Sequence, residues 1–131
     1  MFEKKTVDKF LNLSNVGLIK NASGVGVSAE NACKNTYKVY FKIENGQIVD
    51  AKFKAFGNPA FVAICDEITE VTKNQSVDGV LNLEEQINEI IDEFNAKKSY
   101  PSLFFMSALE NAIKDYRKKE EKKNAKNDKN N

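Results

Sequence analysis

At 131 residues and 14.8 kDa, with 41% hydrophobic and 30% charged residues, the chain has material for one modest core rather than two. Twenty basic against nineteen acidic residues leave a formal charge of +1, which supplies no global attraction toward nucleic acid or an anionic membrane. The absence of histidine removes His-based triads and HExxH zinc sites, and two cysteines, Cys33 and Cys65, cannot close a four-thiolate cage.

In chain order, Phe2, Thr6, Val7, Phe10 and Leu11 recur at roughly helical spacing and predict a short amphipathic helix ending before Asn15. Glu3, Lys4, Lys5, Asp8 and Lys9 interrupt any apolar run there, so a signal peptide is not expected; with no apolar stretch of membrane-spanning length, the reading is a cytoplasmic protein. Asn15 to Ser28, with Gly17, Gly24 and Gly26 among small and polar residues, reads as loop with at most a short strand. Gly24, Gly26 and Ala29 fit the form G-x-G-x-x-A, but the strand-before, helix-after context of a dinucleotide site is missing.

Thr36 to Ile43 alternates strictly, with Tyr37, Val39, Phe41 and Ile43 on one face and Lys38, Tyr40 and Lys42 on the other. Asn45-Gly46 accepts the positive φ angles of a tight hairpin turn, and Ile48, Val49, Ala51, Phe53 and Ala55 continue as the returning strand. Beyond Phe56-Gly57 the period changes. Phe61, Ile64, Cys65, Ile68, Val71 and Thr72 form one helical stripe, with Asn58 as N-cap and Pro59 in the first turn. Asn82 and Glu85 suggest a capping-box start for a second helix bearing Leu83, Ile87, Ile90, Ile91 and Phe94. Pro101 opens a third with Phe105, Leu109, Ala112, Ile113 and Tyr116 on one face. The expected organisation is one domain over residues 1–117 and a charged tail over 118–131, fraying and then disordered for want of apolar surface. The fold class is α+β: a small antiparallel sheet, the hairpin plus a possible third strand, with helices packed on one face.

Several of these segments together resemble a known family. Asn15-Val16-Gly17, Gly24-x-Gly26, Ala32-Cys33, Asp50-Ala51-Lys52-Phe53-Lys54-Ala55-Phe56-Gly57 before a helix with Thr69-Glu70, and Ala112-Ile113-Lys114-Asp115-Tyr116 occur in the order seen in NifU N-terminal domains, the IscU-type scaffolds of iron–sulfur cluster assembly. The resemblance implies a cluster site built from three cysteines and an aspartate, with a histidine beside the last cysteine. Carried over by position, the first cysteine falls on Cys33, the aspartate on Asn35, the second cysteine on Asn58, and the His-Cys pair on Phe104-Phe105. Clusters are held mainly by thiolates, so amides and benzyl rings are unsuitable replacements. Cys33 is the one matched cofactor-binding or metal-ligating position, and no cofactor is expected in an isolated monomer. A cluster or iron would require ligands from another chain.

The individual residues keep more than one reading. Cys33 is an inert remnant, a labile metal ligand, a redox-sensitive thiol or a contributor to a shared cluster. Cys65, on an apolar stripe, is expected in the core. Phe104 and Phe105 either fill the former pocket or form an apolar partner contact. Asp66, Glu67 and Glu70 read as a solvated helix face ahead of a hard-cation site. The Lys-rich tail reads as solubilising ahead of binding nucleic acid or an acidic protein. The functional expectation is a ligand-depleted scaffold homologue without catalytic activity, acting through a cysteine desulfurase, another assembly protein or a shared cluster. The competing expectation is a binding or structural module with no iron–sulfur role. Oligomeric state is left open.

Overall fold

The computed structural model describes residues 3–30 and 34–129, with side chains to residue 126. Its elements run α1 (Lys4–Phe10), β1 (Gly24–Ala29), β2 (Thr36–Glu44), β3 (Gln47–Phe56), α2 (Pro59–Thr72), α3 (Val77–Val80), α4 (Glu84–Glu93) and α5 (Ser102–Lys129). The three strands form an antiparallel sheet in the order β1-β2-β3, giving the α+β architecture anticipated from the alternation and the helical stripes.

The hairpin forms around Asn45 and Gly46, both at positive φ. On β2, Tyr37, Val39, Phe41 and Ile43 are buried as the alternation requires. On β3 the parity slips once: the pairing passes from Lys42↔Asp50 to Ile43↔Ile48, so Val49 bulges out while Ile48, Ala51 and Phe53 all reach the core. Helices α2 and α5 cover this apolar face. The Tyr37 hydroxyl meets the Thr69 hydroxyl at 2.8 Å, and its ring meets Phe105 edge-on with centroids 6.1 Å apart.

The segment expected to be mainly loop contains the six-residue strand β1. Its glycines have a packing purpose. A Cβ on Gly24 or Gly26 would lie closer than 3 Å to the α5 backbone at Ala112, or at Ala108 and Ala112 respectively, so helix and strand approach as only side-chain-free positions allow. This accounts for the G-x-G pattern without a phosphate. β1 is also an edge strand, and α5 occupies its edge chemically: Val25 N–H donates to Asp115 Oδ2 at 2.9 Å, and Asn111 Nδ2 donates to the Val27 carbonyl at 3.2 Å.

Two further features differ from the sequence reading. The N-cap of α4 is Leu83, with no side-chain cap; the Asn82 amide instead donates to the Asp78 carbonyl at the end of the one-turn α3. Asp66 is not solvated but fully buried beneath α1, where it accepts from the Ser14 and Asn15 backbone N–H groups and pairs with Lys9 at 2.6 Å. Glu67 and Glu70 remain nearer the surface, Glu67 at 3.3 Å from Lys9 and Glu70 accepting from the Asn15 amide at 2.9 Å. α5 continues to Lys129, with residues 121–126 exposed. No helix among the described residues is long and apolar enough to cross a membrane.

Candidate functional site

Two of the predicted site positions, Asn35 before β2 and Asn58 at the start of α2, meet at one end of the sheet. They line a cleft of about 610 Å³ together with Glu30, Phe56, Gly57, Ser99 and Tyr100. Cys33 lies outside the described residues. The geometry at Gly57 fixes how tightly the two loops join, because a Cβ there would stand 2.6 Å from the Phe61 ring and 2.8 Å from Asn35 Oδ1. Glu30 N–H donates to the Asn35 carbonyl at 2.9 Å, joining the end of β1 to the approach to β2.

Asn58 is committed at both ends of its amide. Its Oδ1 accepts from Phe61 N–H at 3.0 Å, capping α2, while its Nδ2 donates to the Tyr100 hydroxyl at 2.8 Å. A cap of this kind satisfies one of the helix's orphan N–H donors, and a metal would have to compete with it for the same oxygen. Tyr100 sits just before Pro101 and α5, so one hydrogen bond ties the start of α2 to the start of α5.

Phe105 is fully buried at the centre of an aromatic cluster. It stacks on Phe61 with centroids 5.6 Å apart, and meets Tyr100, Phe104 and Tyr37 edge-on at 6.4, 5.4 and 6.1 Å. Phe104 is partly buried and packs against Phe61 at 5.8 Å. Phe105 therefore belongs to the core, whereas Phe104 keeps some surface. The larger exposed ring at this end is Phe56, 66% exposed, which the sequence reading did not single out. Its even parity on β3 placed it opposite the core, which was the available signal.

Glu30, Ser99 and Tyr100 are the other cleft residues that sequence reasoning missed. Tyr100 was discoverable as the residue before the helix-opening proline; Glu30 carried no pattern. Cys65 is buried within α2 as expected, and burial pushes its thiol pKa well up, with the Asp66 charge next door acting in the same direction. Such a thiol is a poor nucleophile and ligand. Among the described residues no three His, Cys, Asp or Glu side chains gather as a metal site. The described donors at the cleft are one carboxylate, two amides and two hydroxyls, a set that does not suit an iron–sulfur cluster.

Comparison with known proteins agrees with this architecture. The NifU-like N-terminal domain family profile matches residues 1–123. A protein of Archaeoglobus fulgidus named iron-sulfur cluster assembly scaffold protein IscU 1 is 32% identical over 120 residues, covering 91% of this chain and 78% of that one. The scaffold protein IscU of Aquifex aeolicus is 33% identical over 118 residues, covering 88% and 75%. Among solved structures, the N-terminal NifU-like protein of Brucella abortus superposes with a TM-score of 0.69 at 14% identity, over 89% of this chain and 94% of that chain. A scaffold protein for the SUF system from Fervidobacterium islandicum gives 0.65 at 22% identity, over 86% and 96%. At these identities the structural likeness concerns the fold.

Proposed function

Because the chain belongs to the family of NifU-like N-terminal domains, we propose that it serves iron–sulfur cluster assembly as a ligand-depleted scaffold homologue. In this reading it presents a scaffold-like surface to a cysteine desulfurase or another assembly protein in the cytoplasm, and does no chemistry of its own. The names of its relatives support the setting, since those with about a third of their residues identical are called cluster assembly scaffolds.

One observation carries the depleted part of the reading. At the two cysteine-equivalent positions other than Cys33, Asn58 is spent on capping α2 and on Tyr100, and Phe105 is sealed in the core. A phenyl ring has no nucleophile to receive sulfur, and an engaged amide offers no thiolate. A cluster handled by this chain would thus be cargo completed by donors from a second chain, with Cys33 as the contribution from this one.

The test is anaerobic purification followed by iron and acid-labile sulfide analysis, with and without a cysteine desulfurase. The isolated protein should hold far less than one cluster per chain, and gel filtration with the desulfurase should give a complex. A stable chromophore in the isolated monomer that disappears in Cys33→Ser would overturn the depleted-site reading; failure to form any complex would remove the desulfurase as partner.

A further inference from the structure

The face of the sheet turned away from α2 and α5 has an unusual charge arrangement. Lys38 on β2 and Lys54 on β3 are directly opposite in the antiparallel register, with Lys52 one row along, opposite Tyr40. Among the described residues none of these three lysines has a carboxylate at ion-pair distance. At the hairpin end, by contrast, Lys42 lies 3.8 Å from Glu44 and opposite Asp50. Like charges placed directly across a strand pair destabilise a sheet, so Lys38 and Lys54 oppose folding in the free protein.

The lysines border apolar surface. Phe56 and Val27 are exposed, and Thr36, Lys38, Lys54, Ala55 and Phe56 enclose a shallow hollow of about 260 Å³. Val27 continues the Lys38–Lys54 row onto β1. An apolar anchor position rimmed by unneutralised ammonium groups is the pattern that selects a partner by complementary charge while excluding water around one side chain. We propose that this face docks an acidic polypeptide segment that places an aromatic or aliphatic side chain against Phe56 and carboxylates against Lys38 and Lys54. Such a partner is defined by charge and shape, whether or not the chain serves cluster assembly.

Single-stranded nucleic acid is disfavoured by the aromatic count. Sheet faces that bind bases offer several rings for stacking, whereas here Tyr40 is 9% exposed, with the Lys38 ammonium 5.3 Å from its ring centre, and Phe56 stands alone in the patch.

The experiment is a backbone-amide NMR titration of the full chain with three probes: the capped peptide Glu-Asp-Phe-Glu-Glu, its counterpart with lysine in every acidic position, and octauridylate RNA. The acidic peptide should shift Val27, Lys38, Lys54 and Phe56 and weaken as salt is raised, while the other two probes leave these signals in place. Lys54→Glu should lower peptide affinity by about tenfold, one charge contact's worth, and at the same time raise the melting temperature by relieving the repulsion with Lys38. Opposite signs in binding and stability separate a docking surface from a structural one. Absence of shifts in this patch, stronger binding of the RNA, or unchanged affinity in Lys54→Glu would each overturn the proposal.

Discussion

Gly26→Ala isolates the close approach of β1 to α5. The added methyl would enter within 3 Å of the Ala108 carbonyl oxygen and the Ala112 nitrogen, and at 3.0 Å from the Ala112 Cα. These are helix backbone atoms, which cannot rotate aside, so α5 must lift from β1 by about 1 Å. A radial gap of that size forfeits roughly a quarter to a half of the dispersion energy of each contact along the seam. Overpacking costs about 1–3 kcal/mol, whereas replacing a strand glycine by alanine returns roughly 0.5–1 kcal/mol of backbone entropy. The net loss should be about 3 kcal/mol, once the lost seam contacts are added to a cost at the upper end of that range. Thermal melts followed by circular dichroism should then fall by roughly 12 °C for a domain of this size. Gly46→Ala is the control: a Cβ there meets nothing within 4 Å and the residue has φ +75°, so its cost is local strain of about 1 kcal/mol. If Gly26→Ala melts as high as Gly46→Ala, steric closeness is not the reason for glycine at this site.

Phe105→Ala should cost about 3–5 kcal/mol in urea unfolding because the ring is fully buried among four aromatic neighbours, and Phe104→Ala clearly less because it retains exposure; equal losses would contradict the assignment of Phe105 to the core. Asn58→Ala removes the α2 cap and the link to Tyr100 and should cost about 1–2 kcal/mol, with Asn58→Asp recovering the cap; no loss on removal would show the cap to be inert. Lys9→Met leaves the buried Asp66 carboxylate held by two backbone N–H groups alone and should destabilise by about 2 kcal/mol. Burial acts to lower the Lys9 pKa, but Asp66 and Glu67 outweigh it and raise the value above the ordinary 10.5. A raised lysine pKa stabilises the fold fully below the unfolded-state value and less as pH climbs through the folded-state value. Wild-type stability should therefore decline more steeply than that of Lys9→Met above about pH 10.5, and parallel alkaline profiles would refute the pair.

The hairpin and the apolar stripes of α2, α4 and α5 were legible because each is a local pattern with a fixed period. β1 was legible only as a possible short strand, since Gly24 and Gly26 erase one half of its alternation for the sake of a helix more than eighty residues away. The burial of Asp66 was hidden for the same reason: its neighbours in sequence suggest a charged surface, and the covering α1 with Lys9 lies over fifty residues upstream. At the candidate site, the N-cap role of Asn58 followed from the adjoining Pro59. The bond from Asn58 to Tyr100 depends on how α2 and α5 come together, which no single segment encodes. Past residue 117 α5 continues through a stretch poor in apolar side chains, and Lys119 and Asp115 pair one turn apart there at 3.0 Å.

The two side-chain hydrogen bonds from α5 to β1 also bear on edge-to-edge pairing between copies of the chain. A bare sheet margin is a template on which another polypeptide can zip. Here Asp115 and Asn111 act as stoppers on the Val25 N–H and Val27 carbonyl, and they sit four residues apart on a helix already locked against two glycines. Damage to that seam would unplug the margin as well as loosen the core, so mutations there should promote fibrous self-association before outright loss of the fold.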